Sequence, residues 1–272
     1  MPRIRHTGGH SSILTAKAAG RVAYEGAAFQ PLTLVPRFNV QAIVANVRDI
    51  FLKPDGTRFY VLSQNGTDTI HEFRLAKKWR IDSAIYIGSA VLPSMGNQQG
   101  FVFSPDGTWL YVADNTASAA VRQYALSNPW DLSTISYVGA KIVSPQTTSP
   151  RGMAFKPDGT KLLLVGQSSI YEYALSTPWL VSTATFVAQN SFLSPTYAVA
   201  VSPDGTRLFH DRGATGTIAD YTLGNPWAVG GTNTSNNPVF SVNGIQSFHY
   251  REDGKALFAM DVNGYLNQFG GL

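Results

Sequence analysis

Apolar and polar residues alternate along this chain in short runs rather than long helical stripes. Runs such as Trp109-Leu110-Tyr111-Val112, Ile135-Ser136-Tyr137-Val138 and Gly152-Met153-Ala154-Phe155 are bounded by turn residues and predict strands. The segment Val121-Arg122-Gln123-Tyr124-Ala125-Leu126 has the period of two that suits a half-buried strand. Nothing has the period of a long amphipathic helix.

The runs recur in register. Pro-Asp-Gly-Thr stands at 54–57, 105–108, 157–160 and 203–206, with a degenerate copy, Glu252-Asp253-Gly254-Lys255. The intervals are 51, 52, 46 and 49 residues. Trp79, Trp130, Trp179 and Trp227 keep the same spacing, three of them in a Pro-Trp pair. A third motif reads Ile70 to Phe73, Val121 to Tyr124, Ile170 to Tyr173, Ile218 to Tyr221 and Leu266 to Phe269. Each unit therefore holds strand a, the Asp-Gly turn, strand b, strand c, the Trp loop and strand d. Gly accepts the positive φ of the turn and Asp bonds to nearby backbone. Four antiparallel strands repeated at about 50 residues predict an all-β, five-bladed β-propeller of four-stranded antiparallel blades.

The fifth unit stops after strand c and lacks its own strand d. Leu32-Thr33-Leu34-Val35 lies where a strand d should precede the first unit. The ring is thus expected to close with an N-terminal strand in the last blade, leaving no open sheet edge at the seam. The organisation read from this is a basic arm over 1–27 and a propeller over 28–272. Within it, 28–45 supply closing strand and linker, and repeats start near 46, 97, 149, 195 and 244.

Composition narrows the function. The 272 residues are 44% hydrophobic and only 14% charged, enough apolar material for a sizeable core. There is no cysteine, which removes disulfides, thiolate metal sites and cysteine nucleophiles. The net charge of +4 is concentrated at the start: Arg3, Arg5, Lys17 and Arg21 against Glu25 give +3 within residues 1–30, leaving about +1 for the rest. So nearly neutral a body lacks the basic stripe of a nucleic-acid binder. No apolar run suggests a secretory signal or membrane insertion. The arm reads either as a tail or as an anchor that docks on a partner.

Topology places the a–b and c–d turns on one, repetitive face and the b–c and d–a loops on the other, variable face. Strand b ends there in Gln64, Asp114, Gln167, Asp211 and Asp261, while the d–a side brings Arg48, Asp49, Gln98, Gln99, Arg151, Tyr197 and Gln246. Variation between blades is what an asymmetric ligand requires, so these residues form the candidate binding patch. Clustered carboxylates could also hold a divalent cation or act on a glycoside. The competing reading is that polar strand ends face water and bond to loop backbone. The repeated Trp either fill space between blades or form a sugar-stacking ring. No motif for metalloprotease, serine hydrolase or nucleotide chemistry occurs, and neither a metal nor a cofactor is expected.

Two patterns carry a resemblance. Phe103 to Val112, Phe-x-Pro-Asp-Gly-Thr-x-Leu-Tyr-Val, resembles the repeat of lactonase-like and surface-layer propellers and spans nearly all of 46–272. Tyr124 to Thr134, with Leu-Ser-x-Pro-Trp, resembles repeats in propeller proteins of tailed-bacteriophage virions. The lactonase likeness implies metal-assisted opening of a sugar lactone. The chain departs from it in having five units rather than the usual seven, and no catalytic residue transfers. The phage likeness implies a non-enzymatic virion component, in a tail appendage, fibre or capsid decoration. It would meet other virion proteins through the arm and a bacterial surface glycan through the variable face. The alternatives are a lactonase- or glycosidase-like enzyme and a cytoplasmic protein-interaction platform.

Overall fold

The structure, a computed structural model, describes residues 37–270 apart from 66, 94–95, 192–196, 213–215, 232, 236–239, 242–243 and 252–255. The basic arm, Leu32 to Val35 and the degenerate turn at 252–255 lie outside the described residues. A short strand β1 (Arg37–Asn39) is followed by four-stranded antiparallel blades. Blade one is β2 (Val47–Leu52), β3 (Arg58–Asn65), β4 (Thr67–Leu75) and β5 (Ala84–Val91). Blade two is β6 (Gln98–Phe103), β7 (Trp109–Asp114), β8 (Ala120–Leu126) and β9 (Ile135–Ile142). Blade three is β10 (Met153–Phe155), β11 (Lys161–Val165), β12 (Ser169–Leu175) and β13 (Ala184–Ser191). Blade four is β14 (Val199–Val201), β15 (Arg207–Asp211), β16 (Thr217–Thr222) and an outer edge split into β17 (Thr234–Ser235) and β18 (Phe240–Ser241). Blade five is β19 (Ile245–Tyr250), β20 (Ala256–Asp261), β21 (Tyr265–Gly270) and, as its outer strand, β1.

The innermost strands β2, β6, β10, β14 and β19 touch in that order and return to β2, which closes a five-bladed ring. The seam is made by an N-terminal strand, as expected. It pairs Arg37 with Asn267, Phe38 with Leu266 and Asn39 with Tyr265. Phe38 packs edge-on against Phe59 and Phe73 of blade one, so the strand also joins the last blade to the first. The core is a set of wedges between neighbouring blades rather than one centre.

The Trp loops lock four of the five wedges. In blade two, Gly107 has φ of 74°, and a Cβ there would sit 2.2 Å from the Trp130 indole. Only glycine lets the ring lie flat on the turn. The same contact recurs in blades one, three and four. Each Trp itself has positive φ, between 58° and 66°. The preceding blade holds the loop from the other side. Tyr60 donates to the Trp130 carbonyl, Tyr111 to that of Trp179, and Gln123 bonds both Trp179 O and Val181 N. Glu172 accepts from Val229 N in the same way. The repeated Trp are therefore inter-blade rivets.

Candidate functional site

The inner strands enclose an axial cavity of about 580 Å³. It runs to the repetitive face, where Pro54, Pro105, Pro157 and Pro203 of the turns, with Trp79, Trp179 and Trp227, line it. Toward the variable face the strands converge. Gly152 N donates to Tyr197 O at 2.8 Å, and a Cβ on Gly100 would meet Arg151 O at 2.7 Å. Neighbouring inner strands thus meet backbone to backbone at this end.

Of the predicted residues only Asp49 lines this cavity. Its carboxylate accepts from Ile50 N and Phe101 N, both at 2.8 Å, and Ser247 lies beside it. Burial outweighs these hydrogen bonds and pushes its pKa up to about 7. His249, from β19, lines the wall edge-on to Phe51, and burial draws its pKa down to about 4. Aromatic side chains of blades one, two, three and five complete the wall, among them Phe51, Phe103, Phe155 and Tyr250.

The remaining predicted residues lie on the variable face. Asp114 accepts from Thr116 N and from the Arg122 guanidinium, and Asp211 accepts from Tyr197 N and Ala198 N. Asp261 accepts from Asn263 N, Tyr265 N and Asn267, and pairs with Arg37 of the closing strand. Gln64 bridges Arg48 and Asn97, and Gln99 also reaches Asn97. These acids and amides organise turns and blade junctions. Gln167 and Tyr197 are exposed, and Gln246 and Arg151 are half-buried, with the Arg151 guanidinium 4.3 Å from the Tyr197 ring centre.

Sequence reasoning missed one polar group. At the variable end of the wedge between blades one and two, Asp68 of β4 faces Asp114. Burial, then the Asp114 charge, raise its pKa to about 6 against the opposing pull of Arg48. Gln98 pairs with Asp114 in register, is wholly buried, and neither atom of its amide meets a protein partner. Nothing in the repeat marks Asp68, because its neighbours in other blades are of different types. Among the described residues no three His, Asp or Glu side chains converge on one point as a metal site would need.

No protein-family model and no curated protein matches the sequence. Solved structures share the fold. A protein of unknown function from Desulfotomaculum acetoxidans superposes with a TM-score of 0.50 at 12% identity, over 82% of this chain and 69% of the other. A Bacteroides uniformis protein provisionally called a 6-phosphogluconolactonase gives 0.53 at 14% identity, over 81% and 79%. At such identity the likeness establishes the propeller alone.

Proposed function

We propose that the protein is a non-enzymatic binding and assembly propeller, a virion component of the tailed-phage kind that links other virion proteins to a saccharide on a bacterial surface. The observation that carries this reading is the outer rim. Strands β5, β9 and β13 each gain one residue at a bulge, and the extra residues are Ile87, Val138 and Val187. These are 48%, 49% and 52% exposed, and each follows a partly exposed aromatic, Tyr86, Tyr137 or Phe186. Equivalent apolar residues turned outward in three consecutive blades make the kind of patch that marks a protein contact. The bulges twist the edges away from strand-to-strand pairing, so the rim offers side chains to a partner.

On the variable face, Arg151, Gln167, Tyr197 and Gln246 supply the polar and aromatic groups that a saccharide needs. The acids of that face are taken up by backbone amides and arginines, which suits binding better than proton transfer. Two measurements test the reading. Purified protein is expected to co-sediment saturably with bacterial envelopes or their isolated polysaccharides. The Arg151→Ala, Tyr197→Ala double variant should lose at least tenfold in affinity at unchanged melting temperature. In phage-producing cells, the triple variant Ile87→Glu, Val138→Glu, Val187→Glu should stay out of the sedimenting particles. Catalytic turnover of a sugar lactone, or binding indifferent to both sets of changes, would refute the proposal.

A further inference from the structure

The two faces of the ring differ in the charge they show to solvent. Exposed carboxylates sit on the repetitive face: Asp55, Asp106, Asp158 and Asp204 in the turns and Asp82 in a Trp loop. Lys53, Lys156 and Arg80 balance three of them. The five acids at the variable end, Asp49, Asp68, Asp114, Asp211 and Asp261, are all buried. Asp114 is taken up by Arg122, Asp261 by Arg37, and Asp211 by two backbone N–H groups. Arg48 is exposed and forms no ion pair among the described residues. Its Nε and Nη2 both donate to the neutral Gln64 Oε1, and Asp68 acts on it only through space. The charge this face offers to a ligand is therefore positive.

The inner strands gather its polar groups at one level. The ladder register shifts by one residue at Arg48 in β2, Gln99 in β6 and Gln246 in β19. Arg151 and Tyr197, two residues before β10 and β14, hold the equivalent place. A bulge turns its extra residue out of the ladder and re-aims the side chain. The next residue inward is small in blades two and three, and neighbouring blades press together there: Gly100 backs onto Arg151 O and Gly152 onto Tyr197 O. One residue per blade thus makes a crown of two guanidinium groups, two amides and a phenol, with no carboxylate. Gln64 and Gln99 both donate to Asn97 Oδ1, at 2.9 and 2.6 Å, which ties Arg48 to Gln99. Arg151 lies 4.3 Å over the Tyr197 ring. Side chains held in this way lose little freedom on binding.

We infer that this crown selects an acidic saccharide, its guanidinium groups pairing with a sugar carboxylate and its amides with hydroxyls. The inference rests on the saccharide reading above and adds the charge of the ligand. A guanidinium fork matches a carboxylate in shape and charge. A nucleic-acid strand would call for a basic stripe, not a ring whose other members are neutral.

The test is calorimetric titration of the full chain with oligosaccharides of galacturonate, of mannuronate and of hyaluronan, each beside its carboxyl-reduced, neutral form. At least one acidic form is expected to bind about tenfold or more tightly than its neutral form. The Arg48→Gln variant, altered at an exposed site, should keep its melting temperature and lose most of that preference, and Arg48→Gln with Arg151→Gln should bring it to near unity. Should the double variant not fold, the unaltered protein decides. Its affinity for the acidic form should fall at least about threefold between about 50 and about 300 mM salt, while that for the neutral form stays constant. Equal binding of acidic and neutral forms would overturn the inference and leave the saccharide reading standing. Binding of single-stranded DNA of equal charge with equal affinity would overturn it as mere attraction for polyanions. No binding of any acidic form at millimolar concentration would overturn it as well, and failure of the bacterial envelopes to bind would defeat the saccharide reading with it.

Discussion

Asp49 makes a quantitative prediction about stability. In the unfolded chain its pKa is near 3.9, and in the folded ring about 7. Between these values the native state holds a proton that the unfolded state has lost. Stability must therefore fall as pH rises, by about 1.4 kcal/mol per pH unit. The full effect across the window is about 4 kcal/mol, an upper figure because local relaxation lets water reach a buried acid. Two histidines oppose it. His210 and His249 are both drawn down to about 4, so each adds stability as pH rises from 4 to 6.5. A single pH profile would blur these contributions, whereas a difference profile isolates Asp49.

Asp49→Asn removes the titration but keeps the shape. It also leaves one backbone N–H facing an amide N–H, a constant cost of about 1–3 kcal/mol. That offset does not vary with pH. Urea unfolding of both proteins from pH 4 to 8 should therefore show the variant gaining on the parent by up to about 4 kcal/mol as pH rises. Most of the gain should fall between pH 4 and 7. A difference that stays flat over this range would refute the account of a desolvated carboxylate.

Further outcomes follow from the same geometry. Gly107→Ala forces both a left-handed alanine and a Cβ into the Trp130 ring, and should cost about 3 kcal/mol or more, seen as a melting temperature lower by roughly 6–12 °C. Gln98→Leu replaces a buried, unpartnered amide, and should stabilise the fold by about 1–2 kcal/mol in urea titrations. Removing residues 1–40 deletes β1 and Phe38, and should lower stability by about 3 kcal/mol or more by thermal melting, while removing 1–27 should not.

Much of the fold is legible because turn chemistry tolerates few residues. A Gly that must lie under an indole and an Asp that must bond its own turn recur in blades one to four, and with the degenerate Asp253-Gly254 copy they give both blade count and strand order. The closing strand was harder to place. The more apolar Leu32 to Val35 lies outside the described residues, while Arg37-Phe38-Asn39, within the 28–45 span expected to supply it, pairs with β21. Its signal is one ring between two polar residues, which a three-residue strand scarcely conveys. The third repeated motif also held more than its alternation suggested. Its third position, Glu72, Gln123, Glu172, Asp220 or Gln268, is buried in every blade, and Gln123 and Glu172 reach across to the next Trp loop. The cavity's direction was not legible at all. It depends on how near five inner strands come to one another, as where Gly152 bonds Tyr197 of the next blade at the end where the loops vary.

The seam between β1 and β21 sets a timetable for biosynthesis. The two strands are separated by more than 200 residues, and the ladder between them is three residue pairs long. Blade one leaves the ribosome early, yet its wedge against blade five stays unfilled until β19 to β21 have been translated. Until then Phe59 and Phe73 lack the cover of Phe38, and the nascent chain carries an exposed apolar flank. Ring closure must therefore wait for β21 and is an event of high contact order, and the growing chain is a natural client for chaperones.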